Sequence, residues 1–214
     1  MKTFVMAQII AKFAASKFQV MHNFILFVSP LLLLSCSPKE RNGEDLFEKG
    51  QFSEAVAYYS AYLDSNGFDA EIVYNRGRAY EEMGNVKAAR TDFDLVLKQD
   101  ERHLNSRLSL SRLAYEEGNY SRSLILTGLA LDHHESSFEA HFLLARARHQ
   151  LGYTTAAMEA YNTTISLNKN FGEAYLYRGA LKATLKIKSA CEDFKIAERL
   201  KVDGGEEAVD KFCS

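Results

Sequence analysis

Three arginines recur at an interval of 34 residues and form the most regular set of charged side chains in the chain: Arg78, Arg112 and Arg146. The residues four positions before them, which share their face of a helix, are Tyr74, Leu108 and Phe142. Tyr115 and His149 follow the second and third arginines by three residues. A guanidinium group binds a carboxylate through two parallel hydrogen bonds, and aromatic groups supply contact area. The pattern is therefore suited to binding carboxylates beside an apolar strip.

The same arginines could instead form ion pairs between neighbouring repeats. The candidate acidic partners are Glu71, Glu81, Glu139 and Glu173. Exposed pairs of this kind are common and contribute about 0–1 kcal/mol each. Both interpretations of the arginine column are open at the level of the sequence.

No other group of residues has the spacing that catalysis or metal binding requires. The chain has 6 histidines, and their one cluster, His133-His134, falls where a solvated turn is expected. Zinc needs three or four converging ligands, and nucleophile motifs and phosphate-binding loops are missing as well. The net charge of -2 and the lack of a basic block argue against nucleic-acid binding. We expect no catalytic residue, metal, cofactor or small-molecule substrate.

The interval of 34 residues extends to residues that control helix packing. A glycine recurs at Gly50, Gly84, Gly118 and Gly152. Five positions later comes a column of small residues, Ala55, Ala89, Ser123 and Ala157. Four positions further on, the residues are aromatic in all but one case: Tyr59, Phe93, Thr127 and Tyr161. Coincidence in so many columns indicates a true internal repeat.

The second repeat shows how one unit folds. Residues 70–83 and 86–98 each carry apolar or small residues at three- and four-residue spacing, which predicts two helices joined by a turn at Gly84. Glycine can adopt positive φ there and end the first helix. Gly77 and Ala89 let the two helices approach closely, and Phe93 fills the space beside them. One helical pair cannot bury its apolar face alone, so the units must stack.

These residues resemble the tetratricopeptide repeat family, whose pattern appears in the second unit as Gly77, Tyr80, Ala89 and Phe93. The early tryptophan of the family is absent, and its closing proline is replaced by Glu101, Glu135 and Lys169. The resemblance implies an all-α, right-handed superhelical solenoid of about five helix-turn-helix units. It covers residues 41–200, in units of about 41–69, 70–103, 104–137, 138–171 and 172–200. Residues 201–214 are predicted to form a short C-terminal capping helix.

In the resembled family, the first helices line a concave groove that holds a segment of another protein. Transferred to this chain, that geometry predicts a partner-binding groove lined by Tyr74, Arg78, Leu108, Arg112, Tyr115, Phe142, Arg146 and His149. The lysine and asparagine clamp of the chaperone-tail-binding subgroup is not reproduced. The aligned positions here hold Tyr74, Arg78, Ser109, Glu139 and Leu143.

Residues 1–35 read as a cleaved signal peptide. Lysines precede a short apolar run at 24–34, and that run is too short for a membrane span, which needs about 20 residues. The sequence Leu33-Leu34-Ser35-Cys36 resembles the bacterial lipobox, which implies cleavage before Cys36 and acylation of that residue. Residues 36–40 would then be the lipidated cysteine and a short tether. A plain secretory signal with a free thiol is the alternative, and either Met1 or Met21 could be the start.

The chain has 3 cysteines. If Cys36 is modified, Cys191 and Cys213 remain as an even pair, one in the last repeat helix and one in the capping helix. A disulfide between them would add about 3 kcal/mol in the chain-entropy model, provided that the protein is exported. The alternative is two small buried residues with free thiols.

Together these features predict a lipid-anchored bacterial repeat protein of the cell envelope. Its expected role is that of a scaffold or assembly factor for an envelope complex, with another envelope protein in its groove and the membrane bound through the lipid. Ser37, in place of an aspartate after the cysteine, favours the outer membrane. The competing prediction is a soluble intracellular adaptor or co-chaperone without a lipid anchor.

Overall fold

The computed structural model describes residues 43–213, and every regular element in this part of the chain is an α-helix. The eleven helices are α1 (Gly43–Glu48), α2 (Phe52–Asn66), α3 (Ala70–Glu82), α4 (Val86–Gln99), α5 (Leu104–Glu116), α6 (Tyr120–Leu131), α7 (Phe138–Gln150), α8 (Thr154–Leu167), α9 (Gly172–Thr184), α10 (Ala190–Arg199) and α11 (Gly205–Phe212). We call α1–α2 unit 1, α3–α4 unit 2, α5–α6 unit 3, α7–α8 unit 4 and α9–α10 unit 5, and α11 the cap.

Each helix packs mainly against the helix before it and the helix after it. The first helices of units 3, 4 and 5 also touch in turn, α5 against α7 and α7 against α9. Contacts restricted to neighbouring units are typical of a solenoid. The predicted all-α solenoid is confirmed, and its consequence for function is that first-helix side chains of consecutive units lie side by side.

Tight turns at regular intervals separate the two helices of each unit. The turn glycines of units 1 to 4 all have positive φ, between +71° and +79°: Gly50, Gly84, Gly118 and Gly152. After Gly84, the amide of Asn85 donates to the Tyr80 carbonyl at 2.8 Å, and the Asn85 side chain accepts from the Ala88 amide at 3.2 Å. Unit 5 lacks this glycine, and Lys186 takes the left-handed conformation instead, with φ +58°.

Close approach of the two helices depends on a glycine in the first one. A Cβ atom at Gly77 would lie 2.7 Å from Cε1 of Phe93, and a Cβ atom at Gly179 would lie 2.7 Å from Cε1 of Phe194. Real Cβ atoms do not approach so closely, so larger residues would force the helices apart. Phe93 is fully buried, as the sequence pattern predicts.

A buried ion pair joins the two helices of unit 2, and the repeat pattern did not predict it. Nε and Nη2 of Arg76 donate to the two carboxylate oxygens of Asp92, both at 2.8 Å. Nη1 reaches Ser60 Oγ, on the second helix of unit 1, at 3.3 Å. The Asp92 side chain is 5% exposed and the Arg76 side chain 20% exposed. This bidentate geometry is the strongest that an arginine and a carboxylate form.

Unit 5 repeats the same arrangement three units later. Arg178 donates to the two oxygens of Asp193 at 2.9 Å and 2.6 Å, and its Nη1 donates to Asn162 on the preceding unit at 2.8 Å. Lys182 adds a second cation 2.9 Å from Asp193. In units 3 and 4 the position of the arginine is occupied by buried leucines, Leu110 and Leu144.

The cap covers the last unit. The ring of Phe212 stacks on the ring of Phe194 with 5.3 Å between centroids. The Cα atoms of Cys191 and Cys213 are 5.2 Å apart, and their sulfur atoms are joined in a disulfide. Since such a bond persists only in an oxidising compartment, the bridge stays a prediction for the protein in the cell.

Candidate partner-binding surface

The three arginines of the 34-residue column lie on the first helices of units 2, 3 and 4. Each contacts the side chain 31 positions earlier, on the first helix of the preceding unit. Those three contacted residues are Phe47, Glu81 and Tyr115. We call Arg78, Arg112, Arg146 and these three residues the arginine surface. The shared offset shows that the repeat geometry positions all three guanidinium groups in the same way.

Arg78 is held by an aromatic ring and an acid. Its guanidinium carbon lies 4.2 Å from the centroid of the Phe47 ring, and its Nη1 lies 3.6 Å from the Glu44 carboxylate. The same nitrogen donates to the Asn75 side chain at 3.4 Å. About a third of the Arg78 side chain remains exposed, at 32%, so this ion pair is a weak one.

Arg112 forms one of the inter-repeat ion pairs considered above. Its Nε lies 3.8 Å from the Glu81 carboxylate, and its Nη2 donates to Ser109 Oγ at 2.7 Å. Burial raises the pKa of Glu81 above its usual value, and Arg112 opposes that shift. Glu71 lies instead 4.0 Å from His103. Within residues 43–213, no ion pair joins these arginines to the other two candidates, Glu139 and Glu173.

Arg146 differs from the other two because aromatic rings surround it and no acid contacts it within residues 43–213. Its guanidinium carbon lies 4.1 Å from the ring centroid of Tyr115, 5.0 Å from that of Tyr177 and 5.7 Å from that of Phe142. Its Nε is buried and has no hydrogen-bond partner in the described part of the chain. The hydroxyl of Tyr115 accepts a hydrogen bond from Gln150 at 3.1 Å, which holds the ring in place.

Tyr74 and His149 lie at the two ends of the predicted contact set and are half-buried. The Tyr74 ring packs 5.7 Å from the Phe93 ring and 5.2 Å from the His103 ring, and burial raises the pKa of Tyr74. Nδ1 of His149 lies 3.4 Å from the Tyr161 hydroxyl. Burial lowers the pKa of His149, so its imidazole is neutral at physiological pH.

Leu108 and Phe142, the apolar members of the predicted set, lie in the interior. Leu108 is 4% exposed and Phe142 is 8% exposed. Leu108 packs with Ala130 and Leu143, whereas Phe142 packs against Phe171 and Tyr177. The two side chains therefore support the arginine surface from beneath, and they do not add exposed contact area to it.

Tyr177 belongs to the surroundings of Arg146, but the columns of the repeat did not predict it. Its column contains Ser109 and Leu143, neither of which is aromatic. A different signal was present, because Tyr177 follows Arg146 by 31 residues, the same separation that joins Tyr115 to Arg146. An offset of one repeat less one helical turn identifies contacts between first helices, whereas the repeat interval identifies equivalent positions.

Other chemistry finds no support in the described residues. Residues 43–213 contain no group of three or more potential metal ligands, and none of their helices is both long and apolar enough to cross a membrane. His133 is exposed, and Nε2 of His134 hydrogen-bonds the Arg102 carbonyl oxygen at 2.7 Å. The predicted signal peptide (1–35), Cys36 and the tether (36–40) lie outside the described residues.

Family models match this chain in three overlapping segments, and the matching family is described as tetratricopeptide repeat. The segments are 41–103, 76–130 and 108–170, which together cover more than half of the 214 residues. No curated protein sequence matches the chain at a significant level.

Several solved structures share the fold. MamA from Desulfovibrio magneticus RS-1 is 21% identical, with a TM-score of 0.66 over 74% of this chain and 90% of that one. A second MamA structure is 20% identical, with a TM-score of 0.62 over 77% of this chain and 90% of that one. YrrB, a TPR protein with an unusual peptide-binding site, is 18% identical, with a TM-score of 0.59 over 74% and 82% of the two chains. At these identities the likeness concerns the fold alone.

Proposed function

The chain belongs to the tetratricopeptide repeat family, and from this premise we propose that it is a scaffold or assembly factor whose first helices form a groove for a segment of another protein. One observation carries the proposal. Three consecutive first helices present arginine side chains in equivalent positions, and those of Arg78 and Arg112 remain 32% and 40% exposed. YrrB, which has a similar fold, has a peptide-binding site, so the architecture is compatible with this role.

Charge reversal of the arginine surface tests the binding proposal. The triple variant Arg78→Glu, Arg112→Glu and Arg146→Glu should lose its partner in a crosslinking and pull-down experiment. A matched control carries the same charge change at three exposed arginines elsewhere: Arg102→Glu, Arg122→Glu and Arg199→Glu. Circular dichroism verifies that both variants keep their helical content. Equal recovery of the partner with both triple variants would refute the proposed groove.

A photo-crosslinking residue gives an independent test of where the partner lies. At Gln150, which is exposed and contacts Tyr115, it should form a product with the partner in intact cells. At Ile125, which is 62% exposed on the second helix of unit 3, it should form none. The reverse result would move the binding surface to the second helices.

We also propose that the scaffold is anchored to the bacterial envelope by a lipid on Cys36. The lipobox-like sequence ending at Cys36 supports this, as do the lysines and the short apolar run before it. Several acyl chains give stable anchoring where one would give only marginal binding. Metabolic labelling with palmitate should mark the wild-type protein and a Cys191→Ser control, but not Cys36→Ser. A detergent-phase Cys36→Ser protein, or an unlabelled wild-type protein, would instead favour the soluble adaptor.

Placement in the outer membrane rests on Ser37 alone, which stands where an inner-membrane retention signal would require aspartate. On a density gradient of separated membranes, the wild-type protein should sediment with the outer membrane, and Ser37→Asp should move it toward the inner one. Co-sedimentation of the wild-type protein with the inner membrane would overturn this part of the proposal. Within the envelope, the expected partner is another envelope protein.

A further inference from the structure

The three arginines of the arginine surface are equivalent by position but not by charge balance. Arg78 lies 3.6 Å from Glu44, and Arg112 lies 3.8 Å from Glu81. A ligand carboxylate at either arginine must compete with an acid that is already present. Within residues 43–213, Arg146 alone among the three has no such acid, which makes it the position with a positive charge left to satisfy.

The surroundings of Arg146 favour an anion in the plane of its guanidinium group. Aromatic rings lie 4.1 Å and 5.0 Å from its central carbon, and ring faces attract a cation without accepting its in-plane N–H donors. No hydrogen bond joins the guanidinium to any residue in 43–213, and its Nε is buried and unpartnered. Neighbouring rings also exclude water, which strengthens an ion pair formed there.

We propose that Arg146, with Tyr115 and Tyr177 beside it, is a subsite for one aspartate or glutamate side chain of the partner segment. The inference rests on the proposed function and names the chemistry of its ligand. Tyr115 comes from unit 3 and Tyr177 from unit 5, so a segment lying on the subsite continues along the stack in both directions. A side chain within a segment satisfies that geometry better than a chain terminus, which is usually held by several backbone donors.

A phosphorylated segment fits less well. Recognition of phosphate groups typically uses a cluster of arginines around one site. Arg146 is a single cation here, because Arg112 is paired with Glu81 and the nearby Arg148 donates to the Ala156 carbonyl oxygen at 3.2 Å. One cation between aromatic rings matches the single charge of a carboxylate.

The test uses random dodecapeptides displayed on phage and selected on the purified full chain. Selected peptides that compete with one another and crosslink to a photoreactive residue at Gln150 are then synthesised in matched forms. One form has its acidic residue replaced by the corresponding amide, and another has only its C-terminus amidated. Each form is titrated against the wild-type chain, Arg146→Gln, Arg146→Lys and the control Arg78→Gln.

We expect the selected peptides to contain an acidic residue whose replacement weakens binding about 10- to 100-fold, the range of a charge-assisted hydrogen bond. Arg146→Gln should cause a loss of the same size, and the two changes together should be no worse than either one. Arg146→Lys should fall between wild type and Arg146→Gln, because it keeps the charge but not the planar fork. Arg78→Gln and C-terminal amidation should have little effect.

Two results would overturn the inference while leaving the scaffold proposal intact. One is binding at Gln150 that Arg146→Gln does not weaken, and the other is independent, multiplying effects of the peptide and protein changes. A loss caused by C-terminal amidation alone would assign the subsite to a chain terminus and so also reject an internal acidic residue. If no selected peptide crosslinks at Gln150, the groove itself fails, and this inference fails with it.

Discussion

Replacing the ion pair between Arg76 and Asp92 with leucines should cost far less stability than removing one of its partners. The chain contains its own template for this change, because the equivalent positions of unit 3 are Leu110 and Leu126, which pack against each other. The experiment compares three variants of unit 2: Asp92→Leu, Arg76→Leu and the double variant.

The structure determines the expected sizes of the effects. Asp92→Leu leaves the Arg76 guanidinium, only 20% exposed, without its two 2.8 Å hydrogen bonds. Breaking a fully buried pair costs about 3–5 kcal/mol, and the residual exposure of Arg76 reduces the expected loss to about 2–4 kcal/mol. The double variant leaves no uncompensated charge and adds apolar contacts. Its free energy of unfolding should stay within about 1 kcal/mol of the wild-type value.

Urea denaturation, followed by circular dichroism and by tyrosine fluorescence, measures both quantities. Repeat proteins can unfold in parts, so the transitions seen by the two probes must coincide before a single free energy is assigned. A matched pair of variants at Arg178 and Asp193 should give the same pattern, softened because Lys182 also contacts Asp193. If the double leucine variant is as unstable as Asp92→Leu, the pair contributes net stability and the reasoning is refuted.

Three further predictions concern the turn, the cap and a buried tyrosine. Lys186→Gly should raise the free energy of unfolding by about 0.5–1 kcal/mol, because a lysine at φ +58° carries a steric cost that glycine avoids; a lower thermal midpoint would contradict this. Cys213→Ser should lower the stability of exported protein by about 3 kcal/mol and have no effect under reducing conditions, as thermal unfolding with and without reductant would show. Burial raises the pKa of Tyr59 to about 12. The unfolded chain therefore loses this proton first, and stability should fall as pH rises from 10 toward 12, less so in Tyr59→Phe; a titration with equal slopes in both proteins would disprove it.

The elements that the sequence predicted well are those that recur. Gly84 and Gly152 marked turns because the left-handed conformation suits glycine, and the columns at Gly77 and Phe93 marked close packing because only a small residue fits against a buried ring. The last unit shows the limit of the pattern. Its missing turn glycine was visible in the sequence, but the substitution of Lys186 in that role depends on backbone geometry.

Contacts between units were harder to predict than positions within them. The column interval placed Arg78, Arg112 and Arg146 on one face, yet it could not tell which of them has an acid nearby, because the acids come from the preceding unit at an offset of 31 residues. The burial of Leu108 depends on how far the first helices turn against one another, which spacing alone does not determine. The Cys36 prediction concerns a part of the chain that the structure does not describe.

The confinement of the two buried arginine–aspartate pairs to units 2 and 5 bears on how the protein could change in length. Each bidentate pair is completed inside its own unit, and the units between them meet through leucine and alanine. Duplication or loss of one of these inner units would leave both charge pairs intact and would only lengthen or shorten an apolar seam. Evolution, or a designer, can therefore vary the number of inner units without solving a new electrostatic problem.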